Sequence, residues 1–211
     1  MLKLIVFDCD GVMFDSRQAN ISYYNSLLEH FGLPPMAAEE EDFVHMHSVA
    51  ESMRQIFSHY PQPTPEEVEA LRRERDYRPF LSLMVMEPDL VHFLETTRPH
   101  YHLAISTNRT DTMLPLLRHY RLEKYFGKVM TAATAKRPKP APDALLEILS
   151  HYACQPTEAI YIGDSTVDVD HAGSCRVPLI AFKNPRLPAA YHVDSFEEIL
   201  RLPPLANTFS L

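Results

Sequence analysis

No stretch of this sequence is apolar for long enough to cross a bilayer as a helix, and no dense run of lysine and arginine occurs in its 211 residues. The first absence, with no signal-peptide pattern at the N-terminus, leads to the expectation of a cytoplasmic protein that has no membrane partner. The second, with a formal net charge of −8, argues against a nucleic-acid partner. It also means that an anionic ligand must be captured by local positive groups and not by the field of the whole molecule. Cysteine is scarce: Cys9, Cys154 and Cys175 show no metal-ligand spacing and cannot all pair, which suits a reducing compartment. The eleven histidines are scattered without a ligand pattern, and there are no internal repeats.

With 45% hydrophobic and 23% charged residues, the chain suits one large domain, or a core with a smaller insert. Its most informative feature is Asp8-Cys9-Asp10-Gly11 at the end of the apolar run Leu2–Phe7. A short apolar run of this kind reads as a buried parallel strand, and ligands of open α/β sheets bind at the carboxyl ends of strands. Two acids at such an end repel each other, and a divalent cation would resolve the repulsion. The plainer reading is an exposed turn, since Asp and Gly are turn residues.

Helical patterns follow. Ser16 is placed to cap a helix reaching about His30, with Ile21, Tyr24, Leu27, Leu28 and Phe31 on one face, stopped by Gly32. Glu39 to Asp42 read as a solvated helix start, Ser48–His59 as a helix, and Thr64 with Glu67 as the capping box of a third helix through about Arg78. From Pro88 the pattern turns α/β. Helices are expected over Pro88–Thr97, Asp111–Tyr120, Pro142–Ala153 and Val167–Ser174, and strands over Tyr101–Ser106, Lys128–Ala132, Ala159–Ile162 and Leu179–Phe182. Ser195 caps a last helix to Arg201, and the tail from Pro203 reads as loosely held. Asp8 and Thr107 are 99 residues apart. A strand, its crossover helix and the next strand need roughly 30, so about 60 helical residues are surplus. The surplus reads as a helical insert over residues 17–78, beside the paired acids, within a core of residues 1–16 and 79–211.

Each later strand end also carries a chemically useful group. Thr107-Asn108 offers a hydroxyl and backbone N–H groups to phosphate oxygens, or simply satisfies a helix N-terminus. Lys139 lies among prolines that stiffen its loop and aim its ammonium at an anion, although most loop lysines are solvated. Asp164 and Asp168 in Gly163-Asp164-Ser165-Thr166-Val167-Asp168 bring two acids to another strand end, or stabilise a helix dipole. Asp15 and Asp170 are sufficiently explained by helix starts.

Taken in order, these motifs resemble those of the haloacid dehalogenase superfamily of phosphohydrolases, and the match covers essentially the whole chain. Asp8-x-Asp10-Gly11 looks like the first motif, Ile105-Ser106-Thr107-Asn108 the second, Lys139-Pro140-x-Pro142-Asp143 the third, and Gly163-Asp164-Ser165-x-x-Asp168 the fourth. The inserted helices resemble the C1-type cap of phosphoglycolate phosphatase and β-phosphoglucomutase relatives. The resemblance implies an α/β, Rossmann-like parallel-sheet core with an α-helical cap. It further implies an aspartyl-phosphate mechanism in which Asp8 is the nucleophile and Asp10 the general acid and base. Mg²⁺ would be held by Asp8, the Asp10 carbonyl and Asp164, with Asp168 a ligand or an orienter, and Thr107, Asn108 and Lys139 would bind the phosphoryl group. Val12 stands where many members have Thr, without consequence for a catalytic role. Cys9 reads as a small buried filler.

Residue types separate the branches of the family. Asp10 disfavours carbon–halogen cleavage, because dehalogenase members lack that second acid. A phosphonatase-like Schiff base has no candidate, because residues 4 to 123 contain no lysine. The expected activity is therefore a Mg²⁺-dependent phosphatase acting on a small phosphorylated metabolite. A sugar-phosphate mutase and a non-catalytic binding protein on the same fold are the alternatives. In relatives a cap loop selects the substrate. Here that segment is Phe43–Ser48, making His45, His47, Ser48 and Arg54 candidate contacts, with Arg109 from the core; each also reads as an ordinary polar residue.

Overall fold

The run Leu4-Ile5-Val6-Phe7 is buried on both faces, as a central parallel strand must be, because helices cover both sides of such a sheet. The computed structural model describes residues 1–46 and 49–209. In chain order its strands and helices are β1 (Leu4–Phe7), β2 (Phe14–Asp15), α1 (Arg17–His30), α2 (Ala38–Met46), α3 (Val49–Phe57), α4 (Pro65–Glu74) and β3 (Val85–Met86). These are followed by α5 (Leu90–Thr97), β4 (His102–Ser106), α6 (Met113–Tyr120), β5 (Lys128–Met130) and α7 (Asp143–His151). The last elements are β6 (Ala159–Gly163), α8 (Thr166–Ser174), β7 (Leu179–Phe182), β8 (Tyr191–Val193), α9 (Phe196–Leu200) and α10 (Pro203–Phe209). They divide into two compact units: Met1–Asp15 with Met86–Leu211, and Ser16–Val85.

The first unit is a six-stranded parallel sheet of order β5-β4-β1-β6-β7-β8. From β1 the chain builds outward through β4 and β5 on one side, then returns to lay β6, β7 and β8 on the other. The order reverses at β1, which is where an open α/β sheet forms its ligand crevice. Alternate residues of β1 face opposite layers. Leu4 and Val6 join Ala104, Tyr161 and the α7 residues Leu145, Ile148 and Leu149. Phe7 packs edge-on against Phe93 and Phe126, at centroid distances of 5.9 and 5.6 Å, and Phe196 lies 5.2 Å from Phe93. Burying one such side chain contributes on the order of 1.5–3 kcal/mol, so this aromatic group is a main anchor of α5 and α9 on the sheet.

The second unit is helical, with its own core of Tyr24, Leu27, Leu28, Val44, Ile56, Phe57 and Val68. Its α4 starts as the sequence dictates: Thr64 Oγ1 accepts the Glu67 N–H, and Glu67 Oε2 accepts the Thr64 N–H. Arg17 pairs with Asp42, tying α1 to α2.

Three local expectations need correction, and one strand was not expected at all. Ser16 occupies the N-cap position of α1, but its side chain makes no capping bond. The third inserted helix ends at Glu74 and not near Arg78. The chain then stays in the second unit, because Tyr77 and Phe80 pack on Tyr23 at 5.1 and 5.7 Å. The segment after Pro203 is a helix held by fully buried Leu205, since proline at a helix start lacks only an N–H that would be unbonded there. β8, three residues long with one buried, carries too little apolar pattern to be seen in sequence.

Candidate active site

Strand register assembles the site. Phe7 is level with Ile105 on β4 and Ile162 on β6, so the next residues, Asp8, Ser106 and Gly163, form one row at the carboxyl ends of three adjacent strands. The Asp8 N–H still donates to the Ile162 carbonyl at 2.9 Å, fixing its backbone in the sheet. Thr107 and Asp164 follow directly. The carboxylates of Asp8, Asp164 and Asp168 converge, with one oxygen from each within 4.8 Å of the others.

Lys139 reaches this cluster from the loop before α7. Its Nζ lies 2.8 Å from Asp8 Oδ1, 2.7 Å from Asp168 Oδ1 and 3.1 Å from the Tyr161 hydroxyl. An ammonium has three protons, and here three acceptors take them. Asp168 is wholly buried and also caps α8. Its Oδ2 accepts the N–H groups of Asp164 and Ser165, each at 3.2 Å, and the Ser165 hydroxyl at 2.7 Å. Both its oxygens are thus engaged by protein donors. Such engagement suits an orienting group, while one of its oxygens still lies within 4.8 Å of those of Asp8 and Asp164. Gly163 makes this possible, because a Cβ there would stand 2.4 Å from Asp168 Cβ.

Behind the lysine, the Asn108 side chain has a partner of its own. Its side-chain Oδ1 accepts the Lys139 N–H at 2.9 Å and its Nδ2 donates to the Lys139 carbonyl at 3.1 Å. The side chain is a clamp on the Lys139 backbone, and what remains for an anion at this position is the backbone N–H. Nearby, His171 is fully buried, with Nδ1 2.8 Å from the Ala141 carbonyl and Nε2 2.9 Å from Ser106 Oγ. A carbonyl only accepts, so Nδ1 carries the proton. Burial, then the nearby Lys139 charge, pushes this imidazole down to about 4. Nε2 is therefore an acceptor for the Ser106 hydroxyl.

Asp10 is paired with a cation of its own. Its Oδ1 takes a 2.7 Å ion pair from Arg109 Nη2, and the guanidinium is nearly buried while Asp10 is 37% exposed. Arg109 Nη1 also donates to Thr112 Oγ1 at 3.2 Å. The Thr107 hydroxyl oxygen accepts the Arg109 backbone N–H at 3.2 Å, which leaves its own proton for an acceptor in the crevice. Gly11 has φ +74, and a Cβ on it would sit 1.9 Å from Asp164 Oδ2. Only glycine lets the first loop and Asp164 approach so closely. Cys9 is buried, and burial, followed by the Asp10 charge, holds its thiol well above the usual range, as fits a filler.

Three carboxylates against one ammonium leave excess negative charge. Burial foremost, opposed by Lys139 and reinforced by Asp168, raises Asp8 well above the usual carboxylate range. Burial, then Asp8 and Asp168, pushes Asp164 up to about 8. Asp168 instead is lowered: burial would raise it, but Lys139, Ser165 and Tyr161 outweigh that. Lys139 is held well above its ordinary value, because Asp168 and Asp8 outweigh its burial. A hard divalent cation fits such an all-oxygen, over-charged donor set, with Asp8 and Asp164 presenting carboxylate oxygens to it.

The remaining sequence candidates lie in the second unit. His45 is in α2 and Arg54 is exposed on α3, while His47 and Ser48 lie outside the described residues. Sequence reading gave no role to Tyr161, to Ser106 of the second motif, to His171 or to Asn184, whose Nδ2 donates to the Asp164 carbonyl at 2.8 Å. The available signal was a phenol in the middle of an otherwise apolar strand, and a histidine one helical turn after Asp168. Among the described residues, no helix is long and apolar enough to cross a membrane.

Comparison with known proteins gives a consistent result. The sequence profile of the haloacid dehalogenase-like hydrolase family matches residues 5–182. The chain is similar to pyrophosphatase PpaX of Bacillus velezensis, with 28% identity over 167 residues, spanning 78% of this chain and 76% of that protein. It is similar to a phosphoglycolate phosphatase of Pasteurella multocida, with 25% identity over 222 residues, spanning 95% of this chain and 97% of the relative. A crystal structure of a haloacid dehalogenase-superfamily hydrolase, subfamily IA, variant 1, from Geobacter sulfurreducens superposes with a TM-score of 0.85. The identity there is 35%, over 95% of this chain and 98% of that one.

Proposed function

Because the chain belongs to the haloacid dehalogenase-like hydrolase family, we propose that it is a phosphatase which hydrolyses a small phosphate monoester through an aspartyl-phosphate on Asp8. The observation that carries this reading is the Lys139 ammonium joining Asp8 to Asp168 beside Asp164. It gives one carboxylate a fixed position and a neighbouring positive charge, as a nucleophile approaching an anion needs. The names of the phosphatase relatives support the same class.

The chemistry divides into two halves. In the first, an Asp8 carboxylate oxygen attacks phosphorus and the P–O bond to the leaving alcohol breaks, the alkoxide taking a proton from Asp10. In the second, Asp10, now ionised, takes a proton from water, whose oxygen attacks phosphorus and frees Asp8 and inorganic phosphate. Arg109, whose Nη2 lies 2.7 Å from Asp10 Oδ1, would hold the ionised carboxylate in place for the second half. The Thr107 hydroxyl and the N–H of Asn108 bind the non-bridging oxygens. Lys139 aims Asp8 and, once Asp8 has attacked, lies against the transferred group. Asp8 and Asp164 would hold Mg²⁺, with the Asp10 carbonyl as the further protein contact. When bound, Mg²⁺ neutralises the crowded carboxylates and the phosphoryl oxygens.

The test is Mg²⁺-dependent hydrolysis of p-nitrophenyl phosphate by wild-type and Asp8→Asn protein. The amide keeps the shape but removes the nucleophile, so activity is expected to vanish. A folded Asp8→Asn enzyme that keeps a tenth of the wild-type rate would refute the covalent route. A wild-type protein inert toward phosphate esters would refute the phosphatase reading itself.

A further inference from the structure

We propose that Tyr161 is a positioning residue for the lysine of this site, its phenol oxygen fixing the Lys139 ammonium so that it points at Asp8. The inference rests on the phosphatase reading for its kinetic consequence, but its geometry stands apart from it. Tyr161 lies in β6 and is completely buried, yet its hydroxyl is not spent on solvent or on packing. It stands 3.1 Å from Lys139 Nζ, 2.9 Å from the Ser106 carbonyl oxygen and 3.1 Å from Asp168 Oδ1.

The arrangement is directional. The phenol has one proton for two acceptors, the Ser106 carbonyl and Asp168, while its lone pairs face the lysine. Asp8 and Asp168 alone would leave one ammonium proton unbonded in a closed interior, free to pull the group off its axis. With the phenol as third acceptor, rotation about the Cε–Nζ bond breaks three hydrogen bonds at once. The Ser106 carbonyl then ties this junction to the residue before Thr107. His171 stacks edge-on to the Tyr161 ring at 5.5 Å and bonds the Ser106 hydroxyl, so the phenol has little room to move. One oxygen thereby connects the ends of β4 and β6 with the lysine loop.

The experiment uses Tyr161→Phe, which keeps the ring and removes the oxygen. With p-nitrophenyl phosphate at saturating Mg²⁺, kcat is expected to fall about 10–100-fold with KM within about twofold, the scale of a misplaced catalytic group. In a Lys139→Met background the same change is expected to alter kcat less than about twofold, because there is no ammonium to aim. A second readout needs no turnover. In protein labelled with ¹⁵N at lysine Nζ, the buried ammonium of Lys139, identified by its absence in Lys139→Met, exchanges its protons slowly in the wild type. Tyr161→Phe is expected to speed that exchange at least tenfold. An unchanged exchange rate, or an equal kcat loss in both backgrounds, would overturn the proposal. If the wild type hydrolyses no phosphate ester, the phosphatase reading fails and ammonium exchange alone decides this one. Should Tyr161→Phe not fold, 4-fluorophenylalanine at the same position, close to tyrosine in shape but a far weaker acceptor, must speed the exchange for the proposal to stand.

Discussion

Replacing Gly11 by alanine separates the cost of a backbone conformation from the cost of a displaced ligand. Gly11 and Gly32 both adopt left-handed backbone, with φ +74 and +67. Each therefore costs about 1–2 kcal/mol when given a Cβ. Their surroundings differ completely. A Cβ at Gly32 meets nothing within 4 Å, whereas at Gly11 it lands 1.9 Å from Asp164 Oδ2 and 2.4 Å from Asp164 Cγ. Ordinary contact begins near 3.4 Å, so the Asp164 carboxylate must retreat by roughly 1.5 Å. Metal–oxygen distances tolerate only about 0.2 Å, and misplacing a reacting group by about 1 Å can cost 10²-fold. The expected result is that both variants lose similar stability in urea, while only Gly11→Ala loses at least tenfold in Mg²⁺ affinity and about 10²-fold in kcat. Mg²⁺ titration of p-nitrophenyl phosphate hydrolysis, with urea unfolding of the same samples, reads both quantities. Equal Mg²⁺ half-saturation in a folded Gly11→Ala protein would refute the reasoning, and so would an equal activity loss in Gly32→Ala.

Asn108→Ala removes both bonds to the Lys139 backbone, and is expected to cost about 1–3 kcal/mol in urea unfolding. It should lower kcat more than it raises KM, and a pure KM effect would return Asn108 to direct phosphate binding. Asp8 and Asp164 hold protons in the folded metal-free protein well above the pH at which they ionise in the unfolded chain, Asp164 to about 8 and the unfolded carboxyls near 4. The folded state therefore binds more protons in that window, so metal-free stability should fall as pH rises from about 4 to about 8. Mg²⁺ should raise Tm more at pH 8 than at pH 5; thermal unfolding in chelator and in Mg²⁺ checks this, and a gain independent of pH would contradict it.

The parts of the site that share a strand end were legible in the sequence. Asp8, Thr107 and Asp164 each follow an apolar run, and strand ends in such a sheet face the crevice regardless of detail. The parts that act through distant partners were not. Asn108 and Lys139 are 31 residues apart, and nothing local shows that an amide will close on a backbone. Tyr161 and His171 look like ordinary core residues until the other strands are placed beside them. The segment after Pro203 was expected to be loosely held, yet proline at a helix start is tolerated and Leu205 anchors the helix. For Arg109 the residue was found and its neighbour was not, because the pairing with Asp10 spans 99 residues.

The place of β1 at the middle of the sheet has a consequence for synthesis on the ribosome. Its partners are His102–Ser106 and Ala159–Gly163, so the most apolar strand is made first and its second edge is made about 150 residues later. At translation rates of roughly 5–20 residues per second, that edge is bare for roughly 8–30 s. In the same interval the whole helical unit, Ser16–Val85, has been synthesised and has a core of its own to collapse around. Until β4 and β6 arrive, both edges of Leu4–Phe7 are without their partners, which makes this strand the segment of the growing chain most exposed to mispairing.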